Sequence, residues 1–126
     1  MKNIYISSLL YSSSLYADYR KSVDDKGCWD GKDSNNDMCL TVDRAKWDGD
    51  TFRVYYLNKC SHRIYARTCN NRDGKTPECV AVGIKPGQVE QHYTFNASGR
   101  YSYKATGSVD AQRDWSCASR FSDWSD

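Results

Sequence analysis

Six cysteines in a chain of 126 residues, behind an N-terminus laid out like an export signal, constrain this sequence more than any other feature. Met1 and Lys2 give a short positive start, Ile4, Ile6, Leu9, Leu10 and Leu15 an apolar but serine-diluted run, and Leu15-Tyr16-Ala17 ends on the small residue that a signal peptidase prefers. We therefore expect residues 1–17 to be a cleaved signal peptide and residues 18–126 to form a single disulfide-stabilised β domain, secreted or periplasmic. The apolar run is shorter than the roughly 20 residues a membrane span needs, so no transmembrane segment is expected. The rival reading is a buried first strand or helix, which five serines and three tyrosines pattern poorly.

Cys28, Cys39, Cys60, Cys69, Cys79 and Cys117 form an even set, and in an exported chain they read as three bridges with fifteen possible pairings. The expected set is Cys28 with Cys39, Cys69 with Cys79, and Cys60 with Cys117: two short local loops and one long tie to the C-terminus. On the loop-entropy account a loop of eleven residues is worth roughly 3 kcal/mol, a large share of an ordinary domain's stability. Zinc is the rival use of the same residues, through Cys60, His62, Cys69 and Cys79. The absence of any CxxC pair argues against it, and no metal or other cofactor is expected.

The middle of the chain alternates with a period of two. Phe52, Val54 and Tyr56 share one face, opposite Arg53 and Tyr55; Ile64 and Ala66 alternate with Arg63, Tyr65 and Arg67. Val80, Val82 and Ile84 give a third strand, Tyr93 and Phe95 a fourth opposite His92 and Thr94, and Tyr101, Tyr103 and Ala105 a fifth opposite Ser102 and Lys104. Lys85-Pro86-Gly87-Gln88 suits a type II turn, Asn96-Ala97-Ser98-Gly99 reads as a hairpin loop, and Asn70 to Lys75 as a longer loop around Asp73-Gly74. The expected fold is all-β: a small antiparallel β-sandwich or barrel of at least five strands, stapled by disulfides. Residues 18–50, with Trp29-Asp30-Gly31 and Trp47-Asp48-Gly49, and the tail, with Asp114-Trp115-Ser116 and Asp123-Trp124-Ser125, read as less regular flanks with turns of like chemistry, not as internal repeats.

Charge is unevenly distributed. Residues 18–50 hold nine acids and six bases, residues 51–107 nine bases and three acids, and residues 108–126 four acids and two bases. Arg53, Tyr55, Arg63, Tyr65 and Arg67 are expected on the outward face of two adjacent strands, with Lys104 beside them. Such a row could grip anionic groups with guanidinium forks and stack sugars on rings. The bland alternative is that acidic flanks cover and neutralise this face. Losing the leader would lower the formal net charge from +2 to +1, far from the strongly basic balance of a nucleic-acid binder, and no nucleic-acid partner is expected.

Other chemistry is sparse. Asp33-Ser34-Asn35-Asn36-Asp37 begins like an EF-hand loop, but Met38 stands where glycine is needed and Arg44 where a bidentate glutamate belongs, which leaves a polar turn. His62 and His92 are the only histidines, and no nucleophile elbow, phosphate loop or metalloprotease motif accompanies them. The chain is thus expected not to be an enzyme. Asn96-Ala97-Ser98 is a glycan acceptor sequence and equally a good turn. Two functions follow as expectations: a non-enzymatic module binding carbohydrate or another anionic surface component through the Tyr/Arg face, or a secreted protein-partner module (inhibitor, immunity factor or toxin-like effector) acting through a disulfide-held loop, Cys69 to Cys79 or Cys28 to Cys39.

Overall fold

The computed structural model describes residues 23–118, so the expected signal peptide (1–17) and the second tail tripeptide lie outside the described residues. Among the described residues seven strands form, β1 (Cys28–Trp29), β2 (Leu40–Asp48), β3 (Thr51–Asn58), β4 (Ile64–Arg72), β5 (Lys75–Ile84), β6 (Val89–Phe95) and β7 (Ala97–Ser108), followed by a short helix, α1 (Asp114–Ala118). They make two antiparallel sheets, ordered β1-β7-β4-β5 and β2-β3-β6. The fold is a β-sandwich, as the alternation implied, with its sheets open at their edges.

All five strands expected from alternation are present, as β3 to β7. The sequence reading missed β1 and β2. From Asp43 onward β2 is exposed and carries Asp43, Arg44, Lys46 and Asp48, so it has no apolar alternation to betray it; charges of this kind protect an edge strand from pairing with other chains. Two connections also differ. The β4–β5 hairpin closes through Asp73 and Gly74 alone, with Arg72 paired to Lys75, and the extra residue sits in a bulge between Asn70 and Arg72. The segment after β6 is no hairpin loop: Asn96, at φ 58°, is a single-residue corner that carries the chain from one sheet to the other. The turn 85–88 does have type II geometry, with Gly87 at φ 74° and the Gln88 amide donating to the Lys85 carbonyl at 3.0 Å. It too crosses between sheets.

Two of the three expected disulfides are corrected. The bridges are Cys28–Cys117, Cys39–Cys60 and Cys69–Cys79. The reason is the strand pairing that sequence did not reveal. Leu40 pairs with Asn58 across β2 and β3, which brings Cys39 beside Cys60; Cys28 pairs with Ser108 at the end of β7, next to the helix that carries Cys117. Cys69 and Cys79 face each other directly across β4 and β5, as expected.

Between the sheets lie Trp29, Leu40, Phe52, Val54, Tyr56, Ile64, Ala66, Ile84 and Ala105. The Trp29 indole packs against Gly107, where any Cβ would collide with it, so glycine there makes room for the largest core side chain. The sandwich end holding the 85–88 turn is tied by Asn58, which is fully buried. Its Nδ2 donates to the carbonyls of His62 (2.8 Å) and Ile84 (3.0 Å), and its Oδ1 accepts from the Cys60 amide at 3.0 Å. One side chain thus joins β3, β5 and the 59–63 crossover. Replacing it by alanine strands three buried polar groups at a cost of roughly 1–3 kcal/mol for each uncompensated group. We predict that Asn58→Ala lowers the urea midpoint by an amount equivalent to at least about 2 kcal/mol with an unchanged m-value; a shift below about 0.5 kcal/mol would contradict this role.

Candidate functional site

The two sheets divide the expected binding row. Strands β3 and β4 are consecutive but belong to different sheets, because residues 59–63 cross over between them. Arg53 and Tyr55 therefore lie on the outer face of the β2-β3-β6 sheet, while Arg63, Tyr65, Arg67 and Lys104 lie on the outer side of the other, at the opposite face of the molecule. The row as drawn from sequence is not one surface.

On the β4 side, Arg63 lies over Gly83 and its Nη1 forms an ion pair with the buried carboxylate of Asp114 in α1. Burial raises the Asp114 carboxyl above the ordinary aspartate value, and Arg63 offsets this only in part. A residue of the acidic C-terminal flank thus pairs with one of the arginines, as the covering alternative anticipated. Arg67 and Lys104 are cross-strand partners. Lys104 also borders a shallow groove of about 310 Å³ with Asp30, Lys32, Met38 and Tyr103.

The outer face of the β2-β3-β6 sheet is built differently. Register places Arg44 opposite Tyr55, Lys46 opposite Arg53, and Arg53 opposite Tyr93. The Arg44 guanidinium sits 4.2 Å from the Tyr55 ring centroid, Lys46 Nζ 5.9 Å from the same centroid, and the Arg53 guanidinium 5.3 Å from that of Tyr93. Arg53 is held in place by Asp48 at 3.2 Å and by Gln91 Oε1 at 2.8 Å. Tyr93 packs edge-on against Phe95, their centroids 6.2 Å apart. Both rings are open to solvent, Tyr93 at 51% and Phe95 at 58% exposure. Three cations and three aromatic rings thus share one face over three strands, each cation close enough to a ring for attraction by its π face.

Sequence reasoning missed Arg44, Lys46, Tyr93 and Phe95 as members of this face. The first two lie on the unrecognised β2, although Asp48-Gly49 immediately before a clear strand is itself a hairpin signal. The last two share one face of their strand opposite His92 and Thr94, as the alternation implied, and the structure turns that face outward and His92 and Thr94 inward.

That orientation rests on a polar cluster between the sheets. Thr68 Oγ1 lies 2.9 Å from His92 Nδ1, and Glu78 Oε1 lies 3.3 Å from His92 Nε2. The Thr94 hydroxyl donates to Glu78 Oε1 at 2.5 Å, and Asn70 Nδ2 donates to Thr94 Oγ1 at 3.1 Å. The Thr-His-Glu order mimics a nucleophile, base and acid, but Thr68 is only 2% exposed, which walls its hydroxyl off from a substrate. Burial lowers the His92 pKa below its ordinary value against the opposing pull of Glu78. Hydrogen bonding, from Thr94 above all, lowers that of Glu78.

The other sequence candidates resolve locally. Asp33 Oδ1 accepts from the amides of Asn35 and Asp37, both at 2.9 Å, and so closes its own turn. The three cysteines of the zinc alternative are all oxidised into bridges. Among the described residues no three His, Cys, Asp or Glu side chains gather as metal ligands, and no helix is long and apolar enough to cross a membrane. His62 packs edge-on to Trp29, 6.1 Å between centroids. Asn96 is exposed at its corner. No protein-family model matches this chain, and no curated protein sequence matches it.

A histidine whose pKa is lower when folded takes up its proton more readily when unfolded. Its contribution to stability is therefore complete above the unfolded value near 6.5 and is lost as pH falls below it, through the lower folded value. Unfolding free energy measured by urea titration at successive pH values should decline from about pH 7 downward, and His92→Gln should flatten that decline. An equal slope in the variant would show that His92 is not its source.

Proposed function

We propose that this protein is a small exported, non-enzymatic binding module that recognises a carbohydrate or another anionic surface component through the Tyr/Arg-rich outer face of the β2-β3-β6 sheet. The observation that carries this reading is the stacking of Arg44 over Tyr55 and of Arg53 beside Tyr93, next to the exposed ring of Phe95. Rings fixed on a hydrogen-bonded sheet lose little freedom on binding, and their faces suit the C–H surface of a sugar. The guanidinium groups beside them offer paired donors to carboxylate or sulfate substituents. Three disulfides fit an oxidising compartment, which supports export to the secreted or periplasmic space.

The protein-partner alternative (inhibitor, immunity factor or toxin-like effector) is favoured by one feature, the braced hairpin tip that Cys69–Cys79 closes around Asp73-Gly74. The loop from Cys28 to Cys39 loses its place in that reading, because neither cysteine pairs with the other.

The test is retention on an immobilised uronate or sulfated polysaccharide as salt is raised. Arg44→Ala and Tyr93→Ala should each weaken affinity about two- to fivefold, the range expected for an exposed cation–ring contact, while leaving stability within about 0.5 kcal/mol. Retention should fall steeply between low and high salt. Unchanged affinity in both variants, or retention indifferent to salt, would overturn this reading; loss of partner binding only on replacing residues 72–75 would favour the hairpin.

A further inference from the structure

We propose that the Cys69–Cys79 bridge is a thiol-exchange site, reduced by low-molecular-weight thiols and re-formed by the corresponding low-molecular-weight disulfides while the sandwich stays folded. It lies on the outer face of the β1-β7-β4-β5 sheet, opposite the aromatic face, and is independent of the binding reading.

The three bridges are not equivalent. Cys28, Cys117, Cys39 and Cys60 are all buried, at 3% exposure or less, and no attacking thiolate can reach them in the native fold. Cys79 is partly exposed. Together with Cys69 it lines an open groove of about 390 Å³, whose walls include Arg67, Asn71, Thr76 and Ser102. Both cysteines line the groove, so a small thiol entering it meets the bridge.

Electrostatics favours the same bridge. Arg67 lies on the same face of β4 as Cys69, and its cross-strand partner is Lys104. A cation that lines the groove with the bridge, as Arg67 does, stabilises the thiolate that must depart and draws in an anionic thiol such as glutathione.

Chain topology then allows the fold to survive reduction. The three bridges span sequence separations of 10, 21 and 89 residues. On the loop-entropy account, opening the shortest closure lowers the folding equilibrium constant roughly 25-fold less than opening the longest. The cysteines are also directly opposed in a ladder that the two-residue Asp73-Gly74 turn and the flanking β4–β7 pairing maintain. The free thiols would stay in register for re-oxidation.

The chemistry is a two-step exchange. A thiolate attacks Sγ of Cys79, forming a mixed disulfide and expelling the Cys69 thiolate. A second thiolate attacks the external sulfur of that mixed disulfide, releasing the oxidised thiol and the Cys79 thiolate. The bridge gains two electrons and two protons, and two molecules of thiol become one disulfide.

The experiment is to titrate the native protein with reduced glutathione, quench with iodoacetamide, and map the labelled cysteines by mass spectrometry. The expected first product carries glutathione or alkyl label only at Cys69 and Cys79 and retains the native protease-resistance pattern, and a parallel unalkylated sample returns to the starting mass when oxidised glutathione replaces the reduced form. Label appearing first on any of the other four cysteines, simultaneous labelling of all six, or no reaction short of denaturation would each overturn the proposal. Arg67→Gln should react several-fold more slowly under the same conditions; an unchanged rate would remove Arg67 from the mechanism.

Discussion

The orientation of β6 is the constraint on which the rest depends. A strand's side chains alternate between faces, so a slip of one residue would exchange every inward group for an outward one. Composition alone would bury Tyr93 and Phe95 and expose His92 and Thr94. The opposite arrangement is held because Thr68 and Asn70 on β4 and Glu78 on β5 supply hydrogen-bond partners to His92 and Thr94. Buried polar groups satisfied in this way cost little, whereas the same groups facing an apolar partner would be expensive. The aromatic, cationic face outside exists because the polar cluster inside exists.

The sandwich core is accordingly in two parts. Towards one end Trp29, Leu40, Tyr56, Ile64 and Ile84 supply an apolar filling, and along β4 the inward positions then change from Ile64 and Ala66 to Thr68 and Asn70. Cys28–Cys117 and Cys39–Cys60 lie with the apolar part, both buried, and tie β1 to helix α1 and the start of β2 to the end of β3. Cys69–Cys79 lies alone on the surface side of β4 and β5. Closely packed bridges and a small apolar core on one hand, hydrogen bonds on the other, replace the aliphatic mass that this sequence lacks.

What was legible in the sequence follows from this physics. Phe52, Val54 and Tyr56, and Ile64 and Ala66, alternate because one side meets the apolar part of the core, so β3 and β4 could be read and their inward faces assigned correctly. Around Lys85-Pro86-Gly87-Gln88 the turn type followed from proline and glycine alone. Edge strand β2 could not be read from alternation, since solvent contacts most of it, and with β2 went the pairing that decides where Cys39 finds its partner. For β6 the pattern was visible but not which face turns inward, because the partners that make His92 and Thr94 acceptable inside come from strands far away in sequence. The candidate site was half legible for the same reasons: Arg53 and Tyr55 were placed outward, but sequence could not show that Arg63, Tyr65, Arg67 and Lys104 belong to the opposite face.

The claim that β6 turns its aromatics outward is tested most directly by hydroxyl-radical footprinting of the native protein, with oxidised residues quantified by mass spectrometry. Tyr93 and Phe95 should react readily while Phe52 and Tyr56 are protected until the protein unfolds. Protection of Tyr93 and Phe95 in the native state would mean that β6 is oriented the other way, and both the polar cluster and the aromatic face would be lost with it.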